Sequence, residues 1–256
     1  MKAVAHSTVT DEELPAPAVP RLARISLFAD LDGTLAPIEA TPGAVKPDAS
    51  RRRLLDALDR ALAGRLAVVS GRALDDLDRV LEGRVRAAAA VHGLVRRTAA
   101  GRIIATGGNE RVAQAMRTLR AFAKAHPGLL VEDKGGAIAL HYRAAPASAG
   151  ACRALARRLG TSLGLTVQEG DMVVELRAMG PDKGDAVAAF MAEAPFAGFT
   201  PVFVGDDLTD ENGFEAARAL GGYGVIVGSR RPTAALYALA DVAAAQSWLR
   251  QALEAA

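Results

Sequence analysis

Short apolar runs closed by Asp, Gly or Ser alternate along this chain with longer stretches whose apolar residues recur at helical spacing. The first run, Ile25-Ser26-Leu27-Phe28-Ala29, ends in Asp30-Leu31-Asp32-Gly33-Thr34-Leu35. A run so short and apolar reads as a buried parallel strand, and the glycine permits a sharp turn. After a loop marked by Pro37 and Pro42, Leu54, Leu55, Leu58 and Leu62 fall on one face of a predicted helix from Arg51 to Ala63. Leu66 to Val69 is a second buried strand, ending in Ser70-Gly71-Arg72, and Ala73 to Leu81 a second helix. Ala87 to Val91 is a third strand closed by His92-Gly93, and Arg102 to Ala105 with the turn before it forms a small hairpin. Strand, helix, strand, helix implies a parallel sheet.

From about Asn109 the pattern changes. Val112 to Ala125 and Ala147 to Leu163 are helical; Leu129 to Val131 pairs with Ala137 to Tyr142 around Asp133-Lys134-Gly135-Gly136, and Leu165 to Val167 with Met172 to Leu176 around Glu169-Gly170-Asp171. Helix, hairpin, helix, hairpin is a weak internal repeat, unlike the parallel units on either side. After Gly180-Pro181 the parallel pattern returns: a helix from Lys183 to Met191, a strand Pro201 to Val204 ending in Gly205-Asp206-Asp207, a helix Gly213 to Leu220, a strand Tyr223 to Val227, and closing helices at Pro232 to Leu239 and Ser247 to Leu253. The fold class is α/β: a Rossmann-like parallel-sheet core (25–108 and 179–256) with an inserted α+β domain (109–178) that can lie over the sheet. Residues 1–24, interrupted by Pro15, Pro17 and Pro20, read as a flexible or extended leader.

Composition changes this picture little. The 256 residues, half of them apolar and 23% charged, suit a folded globular protein. The net charge of +2 comes without blocks of like charge or aromatic-basic interleaving, so nucleic acid is not an expected partner. No apolar run approaches the roughly 20 residues that span a bilayer. With no secretory signal core and one cysteine, Cys152, the expectation is a reducing cytoplasm.

The chemistry collects at strand ends, where open α/β sheets bind ligands. Asp30 and Asp32 also suit an ordinary Asx turn, but a calcium loop is excluded because Gly33 follows Asp32 without a third oxygen ligand between. Ser70 can hold a phosphate oxygen or simply cap the next helix, and His92 alone is as well a turn residue. Topology brings four segments to one edge: Asp30 with Asp32, Ser70, Lys183, and Asp206 with Asp207 and Asp210. So many carboxylates repel one another unless a cation neutralises them, and oxygen ligands favour a hard ion such as Mg²⁺. A carboxylate can then approach a phosphate monoester while the lysine stabilises the transferring group.

Asp30-Leu31-Asp32-Gly33-Thr34, Ser70, Lys183 and Gly205-Asp206-Asp207 resemble the four motifs of the haloacid dehalogenase superfamily, in the same order. That resemblance implies Asp30 as nucleophile, Asp32 as acid and then base with its main-chain carbonyl on the metal, Asp206 as metal ligand, Asp207 and Asp210 supporting that shell, and Ser70 and Lys183 on the phosphoryl oxygens. Ser70-Gly71-Arg72, Val91-His92-Gly93, Glu132-Asp133-Lys134-Gly135, Leu140-His141-Tyr142-Arg143, Val174-Glu175 and Gly205 to Glu211 look like signatures of trehalose-6-phosphate phosphatases, from about Ile25 to Leu253. The inserted domain takes the place of that family's cap. The resemblance implies Gly71, Arg72, His92, Gly93, Glu132, Lys134, Arg143 and Glu175 as substrate contacts, trehalose 6-phosphate as the small-molecule substrate and Mg²⁺ as the cofactor. Each cap charge is equally consistent with a solvated surface group, Arg143 above all. Phosphatases of other sugar phosphates, a mutase and a silent sugar-phosphate sensor are the competing readings.

Overall fold

A computed structural model of the chain describes residues 14–39, 41–106, 110–170 and 172–256. The leader's first thirteen residues, the expected boundary at 107–109 and the turn residue Asp171 lie outside the described residues. In chain order the elements are β1 (Ile25–Ala29), α1 (Ala49–Ala61), β2 (Leu66–Val69), α2 (Leu74–Leu81), β3 (Ala87–Ala90), β4 (Val95–Arg97), β5 (Ile103–Ala105), α3 (Glu110–Lys124), β6 (Leu130–Asp133), β7 (Ala137–His141), α4 (Ala149–Leu163), β8 (Thr166–Gly170), β9 (Val173–Arg177), α5 (Lys183–Met191), β10 (Thr200–Gly205), α6 (Glu211–Ala219), β11 (Tyr223–Val227), β12 (Tyr237–Leu239) and α7 (Val242–Glu254).

One sheet has the order β12-β11-β10-β1-β2-β3-β4-β5, parallel from β12 to β3 and antiparallel beyond. The other is antiparallel, β6-β7-β9-β8, built between α3 and α5. β1 lies inside the first sheet, with Phe28 level with Phe203 on β10 and Ala67 on β2. Alternation sends its side chains to two faces, both covered, as a parallel sheet requires. Leu27 and Ala29 enter the core that holds Leu54, Leu55 and Leu58 of α1 and Trp248 of α7. Phe28 enters the other, its ring 5.4 Å from Phe196 and 6.0 Å from Phe190 of α5. Ser26 on that face satisfies its hydroxyl at the Phe196 carbonyl, 3.0 Å away. β1 is thereby fixed from four directions.

One expectation is corrected. Pro232 to Leu239 is not a helix: Tyr237–Leu239 extend the sheet as β12, parallel to Val225–Val227. Helix-favouring Ala and Leu there are overridden by an open edge on β11 that needs backbone partners. Of the two forms expected of the leader, residues 14–21 take the extended one. Pro17, Pro20 and Leu22 are buried, the Pro15 carbonyl accepts from Ala238 N at 3.0 Å, and the Ala18 carbonyl accepts from the Trp248 indole at 3.0 Å. Prolines that break helices suit this extended path along the sheet edge. The last helix also starts earlier than its leucines suggest, because Asp241 caps it by accepting from Ala244 N at 2.8 Å. No helix among the described residues is long and apolar enough to cross a membrane.

Truncating Phe28 to Ala removes a fully buried ring from between two others. A loss of about 3–5 kcal/mol in unfolding free energy is expected by urea denaturation; a loss under 1 kcal/mol would contradict this packing.

Candidate active site

Asp30 sits where β1 ends, its amide still bound to the Val204 carbonyl of β10 at 2.9 Å. The strand pairing thus aims its carboxylate at the sheet's C-terminal edge. Lys183, the first residue of α5, brings its Nζ to 3.3 Å from Asp30 Oδ2 and donates to Asp210 Oδ1 at 2.6 Å. All three are buried, Lys183 to 1% exposure and Asp210 to 0%. Asp210 Oδ2 accepts from the amides of Asp206 and Asp207 at 2.9 and 3.0 Å, so one carboxylate holds both the lysine and the end of β10. The other oxygen of Asp30, Oδ1, is buried without a partner.

Electrostatics follow from this crowding. Burial holds the Asp30 carboxyl well above the usual range; Lys183 opposes, and Asp210, Asp206 and Asp207 reinforce it. Burial, then Asp210 and Asp207, push Asp206 up to about 7. Burial would lower Lys183, but Asp210 and Asp30 outweigh it and raise its pKa. Oxygens of Asp30, Asp206 and Asp210 lie within 4.8 Å of one another. Asp210 already accepts from three donors, whereas among the described residues Asp206 accepts only from Thr34 Oγ1 at 3.4 Å and Asp30 keeps one oxygen free, which makes these two the more open carboxylates. An all-oxygen set with an unpartnered buried acceptor and a proton-retaining neighbour fits a hard divalent cation. Gly33 makes room for it: at φ +79 it turns the chain, and a Cβ there would lie 2.1 Å from Asp206 Oδ2.

These groups form the floor of a cleft of about 460 Å³ whose other wall is the antiparallel sheet. Of the residues expected from sequence, Asp30, Asp32, Ser70, Gly71, Arg72, His92, Glu132, Lys134, Arg143, Glu175, Lys183, Asp206 and Asp207 line it. Asp210 and Gly93 do not. Asp210 lies behind the lining, and Gly93, at φ +108, lets its turn pack where a Cβ would come within 2.2 Å of the Asp182 carbonyl. Gly93 therefore seats the start of α5, and Lys183 with it. Asp32 turns its carboxylate away from the acidic cluster to Arg72, with both guanidinium bonds at 2.6 Å. Ser70 Oγ accepts from Arg72 N at 3.3 Å, as a cap does, while still lining the cleft.

On the opposite wall, strand register puts Glu132, Ala139, Glu175 and Gln168 level on adjacent strands. Directly opposed residues share a face, and Glu132, Glu175 and Gln168 line the cleft. The Lys134 ammonium donates to Glu175 Oε2 at 2.6 Å, and His92 Nε2 lies 3.5 Å from Glu175 Oε1. Burial alone would raise Glu175, but Lys134 and His92 take it down to about 2. His141, left without a role by its sequence context, bonds Glu132 at 2.9 Å. Gln168 was missed too; counting residues outward from the two hairpin turns would have placed it beside Glu175. Ile38 and Arg230 also line the cleft from loops whose path carries no sequence signal, and Leu208 from within the Gly205 to Glu211 motif.

Solved hydrolases of the haloacid dehalogenase superfamily share this fold, a parallel sheet faced by an antiparallel one. The trehalose-phosphatase family model matches residues 28–243, and the chain belongs to that family. It is 40% identical to trehalose-6-phosphate phosphatase of Escherichia coli (strain K12) over 89% of this chain and 86% of that protein. Identity to a probable trehalose-phosphate phosphatase of Sinorhizobium fredii is 38%, covering 87% and 84%. The crystal structure of a trehalose-6-phosphate phosphatase related protein aligns with a TM-score of 0.77 at 26% identity, over 90% of this chain and 97% of that one.

An aspartate ordinarily at 3.8 that titrates at about 7 when folded keeps its proton over a range where the unfolded chain has lost it. Asp206 therefore stabilises metal-free protein at low pH, and that stability is lost as pH rises through 7. Glu175, ordinarily at 4.5 and here about 2, works oppositely but is constant above pH 5. In EDTA the melting temperature is expected to fall from pH 5 to 8, less steeply in Asp206→Asn. Equal slopes in the two proteins would contradict the assignment.

Proposed function

We propose that this enzyme hydrolyses trehalose 6-phosphate to trehalose and phosphate, in trehalose biosynthesis, through a phosphoaspartate on Asp30. The observation that carries this reading is the unpartnered, buried Asp30 oxygen under Lys183, facing a row of sugar-sized hydrogen-bonding groups across one cleft. The cleft suits a ligand with an anionic end and a hydroxyl-rich end. Carboxylates accept from hydroxyls, and the Lys134 ammonium donates to them.

In this reading Asp30 attacks phosphorus, and the bond from phosphorus to the sugar oxygen breaks as Asp32 gives that oxygen a proton. Trehalose leaves. Asp32, now a carboxylate, takes a proton from water as the water oxygen attacks phosphorus and the bond to Asp30 breaks. Phosphate leaves, with Asp30 and the Asp32 proton restored. Lys183 sits beside Asp30, where it stabilises charge on the phosphoryl oxygens, and Ser70 offers them its hydroxyl. A divalent cation, Mg²⁺, held by Asp30, Asp206 and the Asp32 main-chain carbonyl, would offset the phosphate charge and polarise phosphorus. Asp207 supports that site from its turn, where Oδ1 accepts from Thr209 N at 2.6 Å and Thr209 Oγ1 at 2.7 Å.

The division of labour implied is a catalytic core at 25–108 and 179–256 under a cap at 109–178. Glu132, Lys134, Arg143 and Glu175 on the cap select the disaccharide. His92 and Gly71, at the core's edge, meet the same ligand where the two sheets face. Cytoplasmic action fits a free, buried Cys152.

With Mg²⁺, phosphate release is expected from trehalose 6-phosphate in preference to sucrose, glucose and mannose 6-phosphates, and to stop on chelation. Activity spread evenly over the panel would favour a general sugar phosphatase; an isomerised sugar phosphate without free phosphate would make it a mutase. Asp30→Asn is expected to lower kcat by at least about 10³-fold with the fold retained by circular dichroism. Near-normal turnover would remove Asp30 from the nucleophile's place. Glu175→Ala should reduce kcat/KM for trehalose 6-phosphate by about 10²-fold while sparing p-nitrophenyl phosphate, and equal losses on the two substrates would place Glu175 outside sugar recognition.

A further inference from the structure

Arg72 was expected to touch substrate, but its guanidinium is already committed elsewhere. The side chain is buried, and it donates from Nε to Asp32 Oδ2 and from Nη2 to Asp32 Oδ1, both at 2.6 Å, while Nη1 bonds Asp76. Its main chain is tied on both sides of the residue: N donates to Ser70 Oγ at 3.3 Å, and the carbonyl accepts from Val91 N at 2.8 Å. Asp76, in the first turn of α2, also accepts from Arg79 at 2.9 and 2.6 Å, and Arg79 Nη1 reaches the Val45 carbonyl at 3.2 Å. Val45 lines the cleft. The result is a chain of ion pairs from Asp32 to the cleft-lining loop.

We infer that Arg72, held by Asp76, is the positioning residue that fixes the plane and location of the Asp32 carboxylate, and that it does not bind the substrate. The inference rests on the phosphatase reading above, in which Asp32 moves the proton. No other side chain among the described residues hydrogen-bonds Asp32. A planar fork bonded to both oxygens removes the two side-chain torsions an aspartate would otherwise explore, which a single ammonium could not do. An acid or base displaced by about 1 Å loses on the order of 10²-fold in rate. Three of the five guanidinium N–H groups go to Asp32 and Asp76, while Lys183 is the cation beside Asp30.

Steady-state kinetics on trehalose 6-phosphate with Mg²⁺ separate the two roles. Arg72→Lys is expected to lower kcat by about 10–100-fold with KM within threefold of wild type. Asp76→Asn, which leaves the guanidinium in place, should lower kcat in the same sense by less and keeps the test open if Arg72→Lys misfolds. Because Arg72 acts through Asp32, the double variant Asp32→Asn/Arg72→Lys should be no slower than Asp32→Asn alone. A tenfold or greater rise in KM at unchanged kcat, or losses that multiply in the double variant, would overturn the role. An active wild type and an impaired Asp32→Asn beside an unimpaired Arg72→Lys would overturn only the inference about Arg72. A wild type that releases no phosphate overturns the phosphatase reading and this role together.

Discussion

The buried pair of Lys183 and Asp210 is the constraint on which the site depends. Desolvating two charges is costly, and removing one partner leaves the other buried without compensation. Here the cost is offset only because Asp210 spends both oxygens: one on the lysine, the other on the amides of Asp206 and Asp207. The lysine in turn faces Asp30. Three segments far apart in sequence, ending β1, starting α5 and leaving β10, are therefore fixed relative to one another by a single cluster of charge. Each also has an independent support. β1 is packed on both faces, α5 is capped by Asp182 in a reciprocal pair with Asp185, and Gly93 seats the Asp182 main chain.

Much of this was legible before any coordinates. The central strands are unbroken apolar runs and α1 carries strong leucine periodicity, so β1, β2, α1 and β11 fall at or within a residue or two of their expected limits. The acids and the lysine were legible because parallel strands deliver their C-terminal residues to one edge, whatever their separation along the chain. What the sequence misread or left open has identifiable reasons. Tyr237–Leu239 has the composition of a helix and the environment of an edge strand, and only the partner strand decides. The segment from Leu14 is extended and ordered because its carbonyls find Ala238 and Trp248, contacts more than 200 residues away in the chain. Arg72 carries a motif that suggests ligand contact, yet which anion it meets depends on the fold of the loop after β1.

The two sheets solve different chemical problems with different geometry. A parallel sheet concentrates groups at one edge, which suits a reaction centre where several carboxylates and a lysine must meet within a few ångströms. An antiparallel sheet spreads groups over a face at the strand spacing of about 4.8 Å, which suits an extended ligand with many hydroxyls. Glu132, Glu175 and Gln168 occupy one such row, and the small Ala139 between them leaves the row recessed.

Charge on that face is prepared before any sugar arrives. Lys134 holds Glu175 as a carboxylate despite its burial, and His92, reaching across from the core, adds a polar neighbour whose Nδ1 is itself buried without a partner. Among the described residues the other Glu175 oxygen has only the long 3.5 Å approach of His92 Nε2. Polar atoms left under-satisfied at the seam between the sheets favour a hydroxyl-bearing neighbour over an apolar one, which would leave their hydrogen bonds unmade.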